Sequence, residues 1–81
     1  MSPEPLRMSR KEFSSTEVLD RLDEGQRVIV SVELFGSGTE VVLRKQGETY
    51  ICDTGLKLLR YEERTEMRRC IERLRLTDAS E

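Results

Sequence analysis

The chain predicts a small α+β domain: an antiparallel β-meander of three to four strands flanked by an N-terminal and a C-terminal helix, in the order α-β-β-β-(β)-α. Three observations predict it. Apolar residues recur at helical spacing in one segment near each end. Between those segments lie three short runs rich in β-branched residues, the first strictly alternating. The runs are joined by Gly-containing turns too short for a parallel crossover, which favours antiparallel neighbours.

The first helix is expected over residues 15–24. Ser14 followed by Glu17 fits a capping box, and Phe13 with Val18 fits a hydrophobic staple. Val18, Leu19 and Leu22 form a narrow apolar stripe, and Gly25 is placed to end the helix in a left-handed turn. The first strand is Arg27–Phe35, with Val28, Val30, Val32 and Leu34 on one face and Ile29, Ser31, Glu33 and Phe35 on the other. Gly36-Ser37-Gly38 makes a turn into a strand at Thr39–Lys45. Gln46-Gly47 turns into Glu48–Cys52. Asp53-Thr54-Gly55 is the next turn. Leu56–Tyr61 reads as strand or helical turn, and strand is favoured. The last helix runs from about Thr65, a plausible N-cap, to Arg75. Its stripe is Met67, Cys70, Ile71 and Leu74 at i, i+3, i+4 and i+7.

With 81 residues this is one domain, expected over residues 11–76, with a flexible arm at 1–10 and a short acidic tail at 77–81. A chain of this size buries only about 60–70% of its unfolded surface, so its net stability is small. The net charge of −2 provides no global field for nucleic acid or anionic lipid. Charge is uneven, however. Residues 56–76 carry seven Lys/Arg against four Glu, a local +3, whereas residues 1–25 carry four basic and six acidic side chains, a local −2.

No long apolar run suggests a membrane span, and Met1-Ser2-Pro3-Glu4-Pro5 lacks a signal-peptide stretch, so a cytoplasmic location is expected. Cys52 and Cys70 are then expected to be free, buried thiols, with a disulfide between them as the sharper alternative.

The chemistry that the chain carries is narrow. With no histidine there is no Ser-His or Cys-His machinery and no His metal site. Gly36-Ser37-Gly38 lacks the Lys and the following helix of a phosphate-binding loop. No catalytic residue, metal or cofactor is expected. Asp53-Thr54-Gly55 resembles the signature triplet of retroviral-type aspartic proteases, in which two chains each give one Asp. Leu56 and Lys57 follow it, and only 26 residues remain after Gly55, so a turn is the expected reading.

Two surfaces are candidates for binding. Arg64, Arg68 and Arg75 lie broadly on one face at the last helix, with Arg60 nearby if the preceding segment folds back, and form a possible nucleic-acid contact. The element order resembles that of the double-stranded-RNA-binding domain, although Thr65-Glu66-Met67-Arg68-Arg69 has no lysine cluster where that family grips phosphate. Pairs such as Arg68 with Glu72 would instead make this a solvated, self-neutralised face. The second candidate is the sheet face opposite the valines: Ile29, Phe35, Val42 and Ile51, with Leu59 and Tyr61 joining if the fourth segment is a strand. A half-solvated sheet usually alternates apolar and polar residues, and this one is apolar on both sides. Either the helices cover opposite faces or a second chain covers one. The expected function is a non-enzymatic interaction or regulatory module, a homodimer or one half of a protein complex. A nucleic-acid-binding accessory role is the alternative.

Arginine outnumbers lysine 11 to 3, and acidic residues exceed both together. With segments such as Tyr50-Ile51-Cys52-Asp53-Thr54-Gly55 and Glu66-Met67-Arg68-Arg69-Cys70, residues 26–76 resemble the short uncharacterised proteins of haloarchaea. That resemblance implies no activity.

Overall fold

The computed structural model describes residues 4–34 and 37–77. The element order is β1 (Leu6–Ser9), α1 (Ser15–Asp23), β2 (Val28–Leu34), β3 (Ser37–Gln46), β4 (Thr49–Asp53), β5 (Leu58–Tyr61) and α2 (Arg64–Arg73). The domain is α+β as expected, but the sheet is mixed and five-stranded, in spatial order β1-β2-β3-β4-β5. The meander from β2 to β5 is antiparallel.

The correction is at the N-terminus. Residues expected to form a flexible arm include a strand that pairs in parallel with β2, Leu6 opposite Val28 and Met8 opposite Val30. Leu6 N–H donates to the Arg27 carbonyl at 2.8 Å and starts the ladder. Met8 is 3% exposed, so the strand is held by a buried side chain as well as by its backbone.

Ser14 caps α1, its hydroxyl accepting from Glu17 N–H at 3.2 Å. The helix ends in a Schellman motif: Gly25 N–H bonds Leu22 O, and Gln26 N–H bonds Arg21 O. Gly25 has φ 87°, a conformation that costs glycine nothing. The second helix ends in the same motif, with Arg75 N–H on Glu72 O and Leu76 N–H on Ile71 O. There the left-handed position is taken by Arg75 at φ 58°. The turn drives Leu76 into the core, where it is 2% exposed. The start of α2 also differs from expectation. Its N-cap is Glu63, with no side-chain cap bond, and Thr65 lies inside the helix.

Both helices cover the same face of the sheet. Helix α1 lies on β2 and β3, α2 lies on β4 and β5, and the two helices touch each other. The core between them joins Val18, Leu19 and Leu22 of α1, Met67, Cys70 and Ile71 of α2, and the inward side chains Met8, Val28, Val30, Val32, Val41, Leu43, Tyr50 and Cys52. The valine face is the core face, as its alternation predicted.

The chain ends are tied across this layer. Ser15, fully buried, donates to Glu72 at 2.8 Å and lies 3.0 Å from the Thr77 hydroxyl. Thr77 is therefore packed, not the first residue of a tail, and the rest of that tail lies outside the described residues. Cys52 and Cys70 are free and buried. Among the described residues no helix is long and apolar enough to cross a membrane.

Candidate functional site

Because both helices lie on one side, the other side of the sheet has no covering layer among the described residues. The register places Arg7, Ile29, Val42, Asp53 and Leu58 in one row across all five strands. Arg44, Ile51 and Arg60 form the adjacent row on one side, and Ser9, Ser31 and Glu40 the row on the other. Three of the residues singled out from the sequence, Ile29, Val42 and Ile51, thus lie side by side. Ile29 and Val42 are half-buried.

Ile51 is only 4% exposed although no element among the described residues lies above it. Its cross-strand neighbours are Arg44 and Arg60, and a long arginine stem covers apolar surface while its head stays in water. Among the described residues neither arginine makes an ion pair, and Arg44 Nε is buried without a hydrogen-bond partner. A cleft of about 300 Å³ lies between Arg44, Gln46, Thr49, Ile51 and Arg60. On the far side of Val42, Glu40 pairs with Arg7 at 3.2 Å, with both side chains more than half exposed. An exposed pair of this kind contributes about 0–1 kcal/mol and exchanges partners easily.

Three residues expected on this face are not described there. Phe35 lies outside the described residues. Tyr61 pairs with Tyr50, and Leu59 with Cys52, so both point to the helix-covered side. The cause is the β4–β5 turn, where Thr54 N–H bonds Lys57 O at 3.0 Å. Its length sets the parity of β5 and brings Leu58 and Arg60 to the open face instead.

That turn also accounts for Asp53-Thr54-Gly55. One Asp53 carboxylate oxygen accepts Gly55 N–H at 2.9 Å, and the Thr54 hydroxyl accepts from Lys57 N–H at 3.0 Å. Gly55 holds φ 87°. The triplet closes a turn with its own side chains, as the sequence reading expected.

The four arginines offered for nucleic acid do not share a surface. Arg60 is on the open sheet face, whereas Arg64 and Arg68 are on α2, across the sheet. Arg64 is bound to Asp20 at 2.8 Å and to Asp23, and Arg68 to Glu72 at 3.1 Å. Arg75 is the left-handed residue after α2, and its carbonyl accepts from Arg10 Nε at 2.8 Å.

Asp23 forms a second polar constellation that the sequence did not suggest, because its members are distant in the chain. At the end of α1 it accepts hydrogen bonds from Tyr50 at 2.5 Å, from Lys45 at 3.2 Å and from Arg64. Lys45 also lies 5.0 Å above the Tyr50 ring. Burial alone would raise the Asp23 carboxyl. The bonds from Tyr50, Lys45 and Arg64 outweigh it and hold the group below its usual value of 3.8. The cluster braces α1, the β3–β4 hairpin and the start of α2.

Asp23→Asn is expected to cost about 1–2 kcal/mol at neutral pH, a charge-assisted network discounted for its solvent exposure. A carboxyl depressed in the folded state stabilises the fold above its unfolded pKa, and that contribution is lost as pH falls through the lower, folded pKa. Urea melts should therefore separate the variant from the parent at pH 7, with the gap closing below the ordinary carboxyl value of 3.8. An equal gap at all pH values would show that the charge plays no part.

A family model described as a family of unknown function (DUF8001) matches residues 2–79. No curated protein and no solved structure matches the chain.

Proposed function

We propose that this chain, which belongs to the DUF8001 family of unknown function, is a non-enzymatic interaction module that pairs with a second copy of itself through the open sheet face. The observation that carries the reading is the cross-strand apolar patch of Ile29, Val42 and Ile51 on a face that no helix covers among the described residues. Charge supports a second copy as the occupant. On β3, Val42 stands midway between Glu40 and Arg44. A two-fold axis through the Val42 row, lying between two stacked sheets and perpendicular to the strands, sets Glu40 of each copy over Arg44 of the other. Such an isologous contact uses one patch twice. It gives the unpaired Arg44 a carboxylate and buries the aliphatic row, with the sheets about 10 Å apart.

Five strands at about 4.8 Å spacing and about five residues at 3.4 Å give a face of roughly 400 Å². Over both copies that is about 800 Å², below the roughly 1,200 Å² of a standard stable interface, so the dimer is expected to be weak and to depend on protein concentration. A cytoplasmic setting belongs to the same proposal and is supported by the two free thiols. The haloarchaeal-type composition is a reason to measure in high salt as well as low. The nucleic-acid reading has less support, since Arg64 and Arg68 are already engaged by carboxylates.

Light scattering over a concentration range tests the proposal. The expected mass rises toward twice the 9.4 kDa chain and persists in high salt. Val42→Lys should return it to the monomer with an unchanged circular dichroism spectrum. Glu40→Arg and Arg44→Glu should each weaken the dimer at least tenfold, and the double exchange should restore it. A monomeric parent at every concentration and salt would sink the proposal.

A further inference from the structure

Two arginines flank Ile51 on the open sheet face with no acid between them. Arg44, Ile51 and Arg60 are cross-strand neighbours on β3, β4 and β5, and Gln46 and Thr49 form the next row on the same face. Neither row contains a carboxylate, and among the described residues neither arginine has an ion pair. Two strand spacings put the arginine backbones roughly 10 Å apart, so both side chains can reach a group seated over Ile51. Like charges set this close across a sheet repel. The Arg44 side chain is half-buried, and its Nε is enclosed without a hydrogen-bond partner. A donor enclosed in this way costs free energy unless an acceptor reaches it. The cleft of about 300 Å³ is lined by both arginines, Gln46, Thr49 and Ile51. That volume is at the low end for a small-ligand site, and every polar side chain lining it can donate a hydrogen bond.

We infer that this cleft binds a small phosphate monoester dianion, held between the Arg44 and Arg60 guanidiniums with the Thr49 hydroxyl and the Gln46 amide as further donors. The charges match: two cations that repel each other take one group carrying two negative charges. Phosphate oxygens also suit the planar fork of a guanidinium, and a tetrahedral group presents oxygens to two forks at once. The ligand supplies the acceptor that Arg44 Nε lacks. A phosphate diester carries a single charge and balances only one of the arginines, so a free monoester fits better than a nucleic-acid backbone. The site lies within one chain and does not rest on the self-contact. Both make use of Arg44, so bound phosphate competes with Glu40 of a second copy for that side chain.

The test titrates methyl phosphate into the full chain at constant ionic strength and follows the side-chain Nε–H signals of Arg44 and Arg60 by NMR. At about pH 7.5 a monoester is mostly dianionic. Both signals should shift together and saturate, half-complete at about 1 mM, the affinity expected of a few exposed charge-assisted hydrogen bonds. Dimethyl phosphate, with one charge, should bind at least tenfold more weakly. Arg60→Gln should weaken methyl phosphate at least tenfold while the Arg44 signal still reports on the site. Glu40→Gln removes the carboxylate of the self-contact and should leave the phosphate affinity intact, so failure of the dimer does not decide this test. The inference is overturned if neither signal shifts up to about 20 mM methyl phosphate, well above the expected half-point. Equal binding of dimethyl phosphate, or the same shifts with chloride alone, would overturn it too, since the site would then answer only to bulk screening or to any single charge.

Discussion

Leu43→Ala is expected to cost about 3–4 kcal/mol. Leu43 is on the central strand, fully buried, between Val28 on one side and Cys52 on the other. Its truncation removes apolar contacts and leaves a cavity in the core beneath the helix layer. Large-to-small changes of this kind cost roughly 2–5 kcal/mol. At roughly 0.05–0.15 kcal/mol per residue, a chain of this length holds only about 4–12 kcal/mol in all. The variant should therefore unfold at a much lower urea concentration, with its transition slope unchanged. Leu56→Ala is the control. That side chain is 96% exposed, and its loss should stay within about 0.5 kcal/mol. Similar midpoints for the two variants would mean that Leu43 is not under the helices.

Met8→Asp is expected to have the next largest effect, about 3 kcal/mol or more. The change places a carboxylate where a 3% exposed thioether now packs on Val30, with no basic partner on the covered face of the neighbouring strand. Arg7, one residue earlier, points to the open face and is mostly exposed. Arg7→Ala should stay within about 0.5–1 kcal/mol. Urea melts of the two variants read the strand directly. In a flexible arm both changes would be silent, whereas in a paired strand the residues alternate between costly and cheap.

The elements written into local sequence are the ones that were read correctly. Ser14 and Gly25 bound α1 because a hydroxyl and a residue free to take positive φ satisfy its orphan backbone groups. The alternation of β2 placed Val28, Val30 and Val32 in the core. Gly47 at φ 63° turns β3 into β4 where Gln46-Gly47 had predicted it. Met67, Cys70 and Ile71 face the sheet, as their spacing implied, whereas Leu74, expected in the same stripe, is the helix C-cap and is 37% exposed.

β1 was missed for a physical reason. Leu6-Arg7-Met8-Ser9 has no β-branched residue and too little length to show a period, and its strand conformation is imposed by the ladder of β2. The Asp23 cluster was missed because nothing local links its members.

The sequence by itself determined which residues are apolar on which side of each strand and helix, and so that both sheet faces carry aliphatic rows. Only the tertiary structure decided that both helices lie on the valine face and leave Ile29, Val42 and Ile51 uncovered. It also sent Leu59 and Tyr61 inward. The reason is that periodicity specifies a face only relative to its own element. The side on which a helix docks, and the parity of a strand after a turn, follow from chain connections and long-range packing that no local window contains.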